Sequence, residues 1–192
     1  MDIFRLTCDY RGLKSIDYTN SPIQENLYNF KWNDIDEVSS FLYKWNIKNG
    51  SGFSNCPFII GSIPVFSESV FYSLFNTFDL GKTQNIPINV EGNRFFILNT
   101  LNVVQDLLDK KKSDISFFPD GRIMKIDSFT FNKRKNLPPI FKIPETNINT
   151  FVNEEMASRI INIMPKELIL EKCKVSSRLW LFLNLRLSMM NC

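Results

Sequence analysis

The sequence contains no histidine. That absence removes Ser-His and Cys-His nucleophile pairs, His-ligated zinc and haem, and the usual general base near neutral pH. An enzyme built from this chain would have to work with carboxylates, lysine, tyrosine or thiol alone. Glycine is also scarce, 7 residues in 192, and these form neither a phosphate-binding loop nor a dinucleotide fingerprint. The four cysteines, Cys8, Cys56, Cys173 and Cys192, include no C-x-x-C pair, so metal binding and a thioredoxin-like redox role lack the required spacing. They read as free thiols of a reducing cytosol. The one strongly apolar late run, Leu179 to Met190, is about half the length of a spanning helix and contains Asn184 and Arg186. Met1-Asp2-Ile3-Phe4-Arg5 lacks the basic and apolar regions of a secretory signal. A cytoplasmic protein is expected, with no membrane association, no metal and no cofactor.

What is present suits a folded chain. Hydrophobic residues make up 44%, with 18 Phe to fill a core, and charged residues 22%. Residues 1–132 carry 13 basic and 15 acidic side chains, net −2, and residues 133–192 carry 10 and 5, net +5. That asymmetry falls short of the basic stripe of a dedicated nucleic-acid binder. A single domain over 1–192 is expected. It comprises an N-terminal section 1–52 closing on Asn49-Gly50-Ser51-Gly52, a core 57–172 and a hydrophobic extension 176–192.

Periodicity organises the chain around Glu91–Ser113. Ile86, Ile88 and Val90 alternate as a half-buried strand should, and the turn Glu91-Gly92-Asn93 pairs it with Arg94–Leu98. Leu101, Val104, Leu107 and Leu108 then recur at helical spacing and predict a helix over 101–109, with Asn99 and Thr100 offering the cap. Earlier, residues 2–7 and 27–32 read as strands. Asp34 with Glu37 has capping-box spacing before Ile35, Val38, Phe41, Leu42 and Trp45 on one helical face. Ser67 reads as the N-cap of a helix whose face is Val70, Phe71, Leu74, Phe75 and Phe78. Pro119-Asp120-Gly121 sits between two apolar-rich runs as a hairpin turn. Ile140–Ile143 reads as a strand, Asn153 as the cap of a helix carrying Met156, Ile160 and Ile163 or Met164, and Leu168–Leu170 as a last sheet strand. The tail from Ser176 suits a strand or a buried helix. The sum is an α+β fold with a mixed or mostly antiparallel sheet, hairpins and three to four short packed helices.

Each chemical reading has a plainer competitor. Asp106, Asp109 and Asp114 cluster in sequence and could hold a cation or divide acid and base roles. Lys110-Lys111-Lys112 beside them can equally keep them charged and solvated. Ser67-Glu68 has no glycine elbow, so capping explains it better than nucleophile and base. Trp32 and Trp45 could stack on bases, but flank apolar stripes as core residues do. Lys133-Arg134-Lys135 could attract phosphate, or form a solvated basic loop.

From Pro57 to Leu170 the chain resembles a family of bacterial polymorphic-toxin immunity proteins, the eleventh in that series and formerly a domain of unknown function. The resemblance lies in the order of several short motifs. Val65-Phe66-Ser67-Glu68 is similar to its apolar-Ser-Glu helix start, and Arg94-Phe95-Phe96-Ile97-Leu98-Asn99 to its strand ending in Leu-Asn. Asp106-Leu107-Leu108-Asp109 with Ser113 resembles its Asp-x-apolar-Asp segment and downstream Ser. Ile140-Phe141-Lys142 and Phe151-Val152-Asn153-Glu154 are similar to its late strand and helix start. The chain departs from the pattern in lacking a glycine before Leu168 and in continuing through 176–192.

The resemblance implies a non-catalytic protein that binds and neutralises a cognate protein toxin encoded beside it. Ser67, Glu68, Leu98, Asn99, Asp106, Asp109 and Ser113 would be architectural. Ser67 and Thr100 would cap helices, and Asn99 and Asp109 would fasten the strand–helix junction through backbone hydrogen bonds. The surface candidates for the partner are Lys133, Arg134, Lys135 and the face carrying Tyr72. The alternatives are a nucleic-acid-binding accessory module using the basic second half, and a histidine-free carboxylate enzyme.

Overall fold

The computed structural model describes residues 1–8, 12–23, 35–46, 50–57, 63–76, 78–163 and 168–176. In chain order these form β1 (Ile3–Cys8), β2 (Gly12–Leu13), β3 (Ser15–Asp17), α1 (Ile35–Ser40), β4 (Leu42–Asn46) and β5 (Gly50–Gly52). Then come β6 (Val65–Ser67), α2 (Glu68–Phe75), β7 (Thr83–Val90), β8 (Asn93–Thr100), β9 (Asp114–Phe117) and β10 (Ile123–Ser128). The last are β11 (Thr130–Asn132), β12 (Ile140–Ile143), β13 (Thr146–Asn153), α3 (Glu154–Ile163), β14 (Leu168–Lys172) and β15 (Lys174–Ser176). The fold is α+β, with mostly antiparallel pairing and three helices among the described residues.

Two sheets carry the architecture. One is ordered β3-β4-β7-β8-β6 and is antiparallel except where β4 runs parallel to β7. The other, β12-β13-β1-β14, is antiparallel throughout, with the first strand of the chain inserted between two late ones. Successive side chains of a strand leave opposite faces, and here each face meets a different core. On β8, Phe96 and Leu98 join a core shared with α2 and α3, while Phe95 and Ile97 join a second core with Tyr43, Trp45 and Ile88. On the four-stranded sheet, Leu6, Ile140 and Val152 face that same helix-lined core. Ile3, Phe141 and Phe151 face a third with Leu107, Leu108 and Phe131. Both sheets are therefore covered on two sides, which is why β8 and β12 read as continuous apolar runs.

The β7–β8 hairpin forms as the alternation predicts, in register from Thr83↔Thr100 to Val90↔Asn93. Its two-residue turn has φ of 49° at Glu91 and 86° at Gly92, as a primed turn requires. Asn153 caps α3, its Oδ1 accepting the Met156 N–H at 2.9 Å. Buried Met156, Ala157 and Ile160 form the inward face of that helix.

Four expectations are corrected. Residues 101–109 are not helical. Their backbone bonds run to distant strands instead: Val104 N–H to the Lys142 carbonyl, Asp109 N–H to the Thr130 carbonyl, and Asn132 N–H to the Leu107 carbonyl. Asp106, at φ 56°, could not sit in a right-handed helix. Thr100 thus has no helix to cap; its hydroxyl donates to the Ile140 carbonyl at 3.1 Å. The helix from Ile35 stops at Ser40, where Ser39 and Ser40 hydroxyls bond back to the Ile35 and Glu37 carbonyls. Leu42 to Asn46 then alternates exposed and buried as a strand. Ser67 precedes α2 without a side-chain cap bond. The Asn99 side chain bonds those of Gln84 and Lys142. The expectations for 27–32, Asp34, Met164 and the tail beyond Ser176 lie outside the described residues.

Candidate interaction surface

β9 and β10 form a two-stranded ribbon around the Pro119-Asp120-Gly121 turn. The Phe118 N–H donates to the Arg122 carbonyl and the Gly121 N–H to the Phe118 carbonyl, and Gly121 sits at φ 82°. That is a three-residue loop with its glycine in the left-handed position. One side of the ribbon rests on the third core through Ile126, with Ile115 and Ile123 packed against it. Its remaining large apolar side chains do not: Phe117, Phe118 and Met124 are 54%, 43% and 54% exposed. The Arg122 guanidinium stands 5.5 Å from the Phe118 ring centroid and bonds Asp120 at 2.7 Å.

Basic residues gather on the segments that continue from the ribbon's base. Residues 105–113 lie against 128–134 through the Leu108↔Phe131 bridge and the Ser113–Thr130 hydrogen bonds. Residues 105–135 carry eight basic and five acidic side chains. Lys110 pairs with Glu145, Lys112 with Asp109, and Lys125 with Asp127. Lys111, Lys133 and Lys135 are exposed and make no ion pair among the described residues. Arg134 is also exposed, but its guanidinium donates to the Gln105 carbonyl at 2.8 Å, tying its loop to the opposite segment. Lys133, Arg134 and Lys135 thus lie on one loop at the end of this pairing away from the 119–121 turn.

Tyr72 is placed elsewhere. It is half exposed on α2, edge-on to Phe71 and Phe96, on the side of the five-stranded sheet that faces the helices. No contact joins it to the basic loop among the described residues.

The three aspartates do not converge. Asp106 is exposed, Asp114 begins β9, and Asp109 is folded into its own turn, its Oδ1 accepting the Lys111 N–H at 3.2 Å. Ser113 N–H donates to the Asp109 carbonyl, and the Ser113 hydroxyl to that of Thr130. Among the described residues no three His, Cys, Asp or Glu side chains are grouped to hold a metal, and no helix is long and apolar enough to cross a membrane. Glu68 pairs with Arg94 at 3.0 Å, and Leu98 is buried in the helix-lined core.

No protein-family model matches the chain, and no curated protein sequence does. The family resemblance therefore stands on its short motifs and their order.

Sequence reasoning passed over two features. Phe117, Phe118 and Met124 read as strand residues, yet their exposure was foreshadowed by the Asp-Gly turn that sets them at a ribbon's end. Lys142 read as a strand's basic residue but is 2% exposed, and burial pushes its ammonium down to about 8. Its Nζ donates to Asn99 Oδ1 at 2.7 Å. No local signal in Ile140-Phe141-Lys142-Ile143 marks that burial.

Proposed function

We propose that this chain is a non-catalytic immunity protein that binds and neutralises a cognate bacterial toxin encoded beside it, acting in the cytoplasm. The observation that carries the reading is the β9–β10 ribbon, where Phe117, Phe118 and Met124 are each about half exposed and Arg122 stands over the Phe118 ring. Aromatic residues, Met and Arg are what protein interfaces concentrate at their centres, inside a polar rim. Single exposed apolar residues need no explanation; three on one short ribbon do. Lys111, Lys133 and Lys135, on the segments that continue from the ribbon's base, would draw an acidic partner surface and speed encounter more than they tighten the complex. The motif order from Pro57 to Leu170 supplies the toxin as partner.

The test is protection. Growth arrest caused by the neighbouring toxin domain should be relieved by co-expression of this chain, and the two should co-purify. Arrest that persists with the chain well expressed would contradict the reading.

A second reading, a nucleic-acid-binding accessory module, is favoured by the same unpaired Lys111, Lys133 and Lys135. It requires affinity for generic RNA or DNA that falls steeply with salt. No binding at low salt would remove it.

A further inference from the structure

An antiparallel ribbon has two outer edges. Along each strand, residues that bond across the ribbon alternate with residues whose N–H and C=O groups turn outward. The Phe118 N–H, donating to the Arg122 carbonyl at 2.8 Å, sets the phase for β9. Phe117, opposite Ile123, therefore turns its backbone groups outward, and so does Ile115, opposite Ile126. Among the described residues those outward groups have no backbone partner, and β9 has no neighbouring strand but β10.

The two edges are not alike. β10 is guarded in the ways that keep a sheet edge from taking another strand. Its register skips Met124 and Asp127, which makes two bulges, and Lys125 pairs with Asp127 along it. Its end also adjoins residues 171–174, which share a small cavity with Asp127 and Ser128. β9 carries none of these guards. Each of its four residues, Asp114 to Phe117, has a partner on β10, none is Lys or Pro, and its one charge is at its first position. Ile115 and Phe117 share a face. Ile115 packs against the third core, whereas Phe117 is left 54% exposed. The unguarded edge and the exposed ring are thus on the same strand.

We propose that the outer edge of β9 takes an extended segment of the toxin domain as a third strand of the ribbon. Main-chain bonds to Ile115 and Phe117 would hold the segment, and apolar side chains at its alternate positions would cover the Phe117 ring. Outward N–H and C=O groups at every second residue are the pattern that another extended backbone matches. A second copy paired edge to edge through four residues would leave Arg122 and Met124, on the far strand, outside the contact. It would thus reach little of the roughly 1,200 Å² that a stable interface buries. The inference deepens the immunity reading and rests on it.

The experiment follows amide hydrogen exchange in the full chain, alone and with the purified toxin domain encoded beside it. In the free chain the Ile115 and Phe117 amides should exchange freely. In the complex both should slow by at least about tenfold, the worth of one hydrogen bond, while the outward Ile123 amide of β10 keeps its free-chain rate. Phe117→Pro removes one outward amide and no bond within the ribbon, a change an edge strand tolerates. It should bind the toxin domain about tenfold more weakly than Phe117→Ala, which keeps that amide. A complex in which Ile115 and Phe117 exchange as in the free chain, equal slowing at Ile123, or equal affinity of the two variants would overturn the inference and leave the immunity reading standing. Slow exchange of both amides in the free chain would overturn it too, because the edge would already be occupied, by a second copy if dilution restores exchange. A toxin domain that does not bind the wild-type chain would contradict the reading and the inference with it.

Discussion

The Lys142 ammonium on β12 donates to Asn99 Oδ1 on β8 at 2.7 Å, and the Asn99 amide in turn donates to Gln84 Oε1 on β7 at the same distance. All three side chains are buried. This chain joins the four-stranded sheet to the five-stranded one through a charge held out of water. A charge in such a place is costly unless it is solvated by its partners. The resemblance assigns Asn99 an architectural role, and the geometry shows how an asparagine at this position can act as one.

The buried charge makes stability depend on pH in a defined direction. Burial lowers Lys142 from an ordinary value of 10.5 to about 8. Below pH 8 both folded and unfolded states hold the proton. Between 8 and 10.5 the unfolded state holds a proton that the folded state has released, so stability rises with pH. The gain is on the order of 3 kcal/mol. Cys173, pushed up to about 11 from 9.0, and Tyr43, also raised by burial, act in the opposite direction above their ordinary values. The comparison of wild type with Lys142→Met isolates the lysine. Urea denaturation at pH 7.5 and 10 should show wild type gaining on the variant; parallel behaviour would mean that Lys142 does not titrate in this range.

Asn99→Ala removes an acceptor from the Lys142 charge and should cost about 2 kcal/mol. Asp109→Ala opens a half-buried turn and should cost about 1 kcal/mol. Both should lower the melting temperature while leaving partner affinity intact. A wild-type melting temperature with lost binding would place the residue in the interface.

The two candidate helix caps should separate cleanly. Asn153→Ala loses the bond to the Met156 N–H and should cost about 1 kcal/mol. Ser67→Ala loses only a 3.4 Å contact with the Ser69 hydroxyl and should stay within about 0.5 kcal/mol of wild type. Equal losses on thermal denaturation would show that Ser67 caps α2 in solution.

Gly121 tests the ribbon's turn. A Cβ there meets nothing within 4 Å, so Gly121→Ala acts through its φ of 82° alone. It should cost about 1 kcal/mol and shift backbone resonances between Asp114 and Ser128, while those of β7 and β8 stay in place. Changes spread through the β7–β8 hairpin would mean that the ribbon is not a separate unit.

Elements decided by neighbours in sequence were legible. Alternation at Ile86, Ile88 and Val90 with a Gly92 turn specified a hairpin, and Asn153 before Glu154-Glu155 specified a helix start. Leu101 to Asp109 misled because its apolar spacing serves a different purpose. Leu107 and Leu108 fill the third core from an irregular segment whose amides bond strands 21 to 38 residues away. Trp45 misled similarly, since a buried tryptophan fits either period and only the pairing of β4 with its neighbours, Trp45 opposite Ile16 on β3, decides between them. The burial of Lys142 could not be read at all: its partner Asn99 lies 43 residues away in sequence.

The measurement that bears most directly on the function is the affinity of the purified toxin domain for wild type and for Phe117→Ser/Phe118→Ser. Both side chains are about half exposed, so the double variant should melt within a few degrees of wild type. Its affinity should fall by about a hundredfold or more, as the loss of central anchors predicts. Wild-type affinity in a folded double variant would contradict the ribbon as the docking element, and no measurable affinity of wild type itself would contradict the immunity reading.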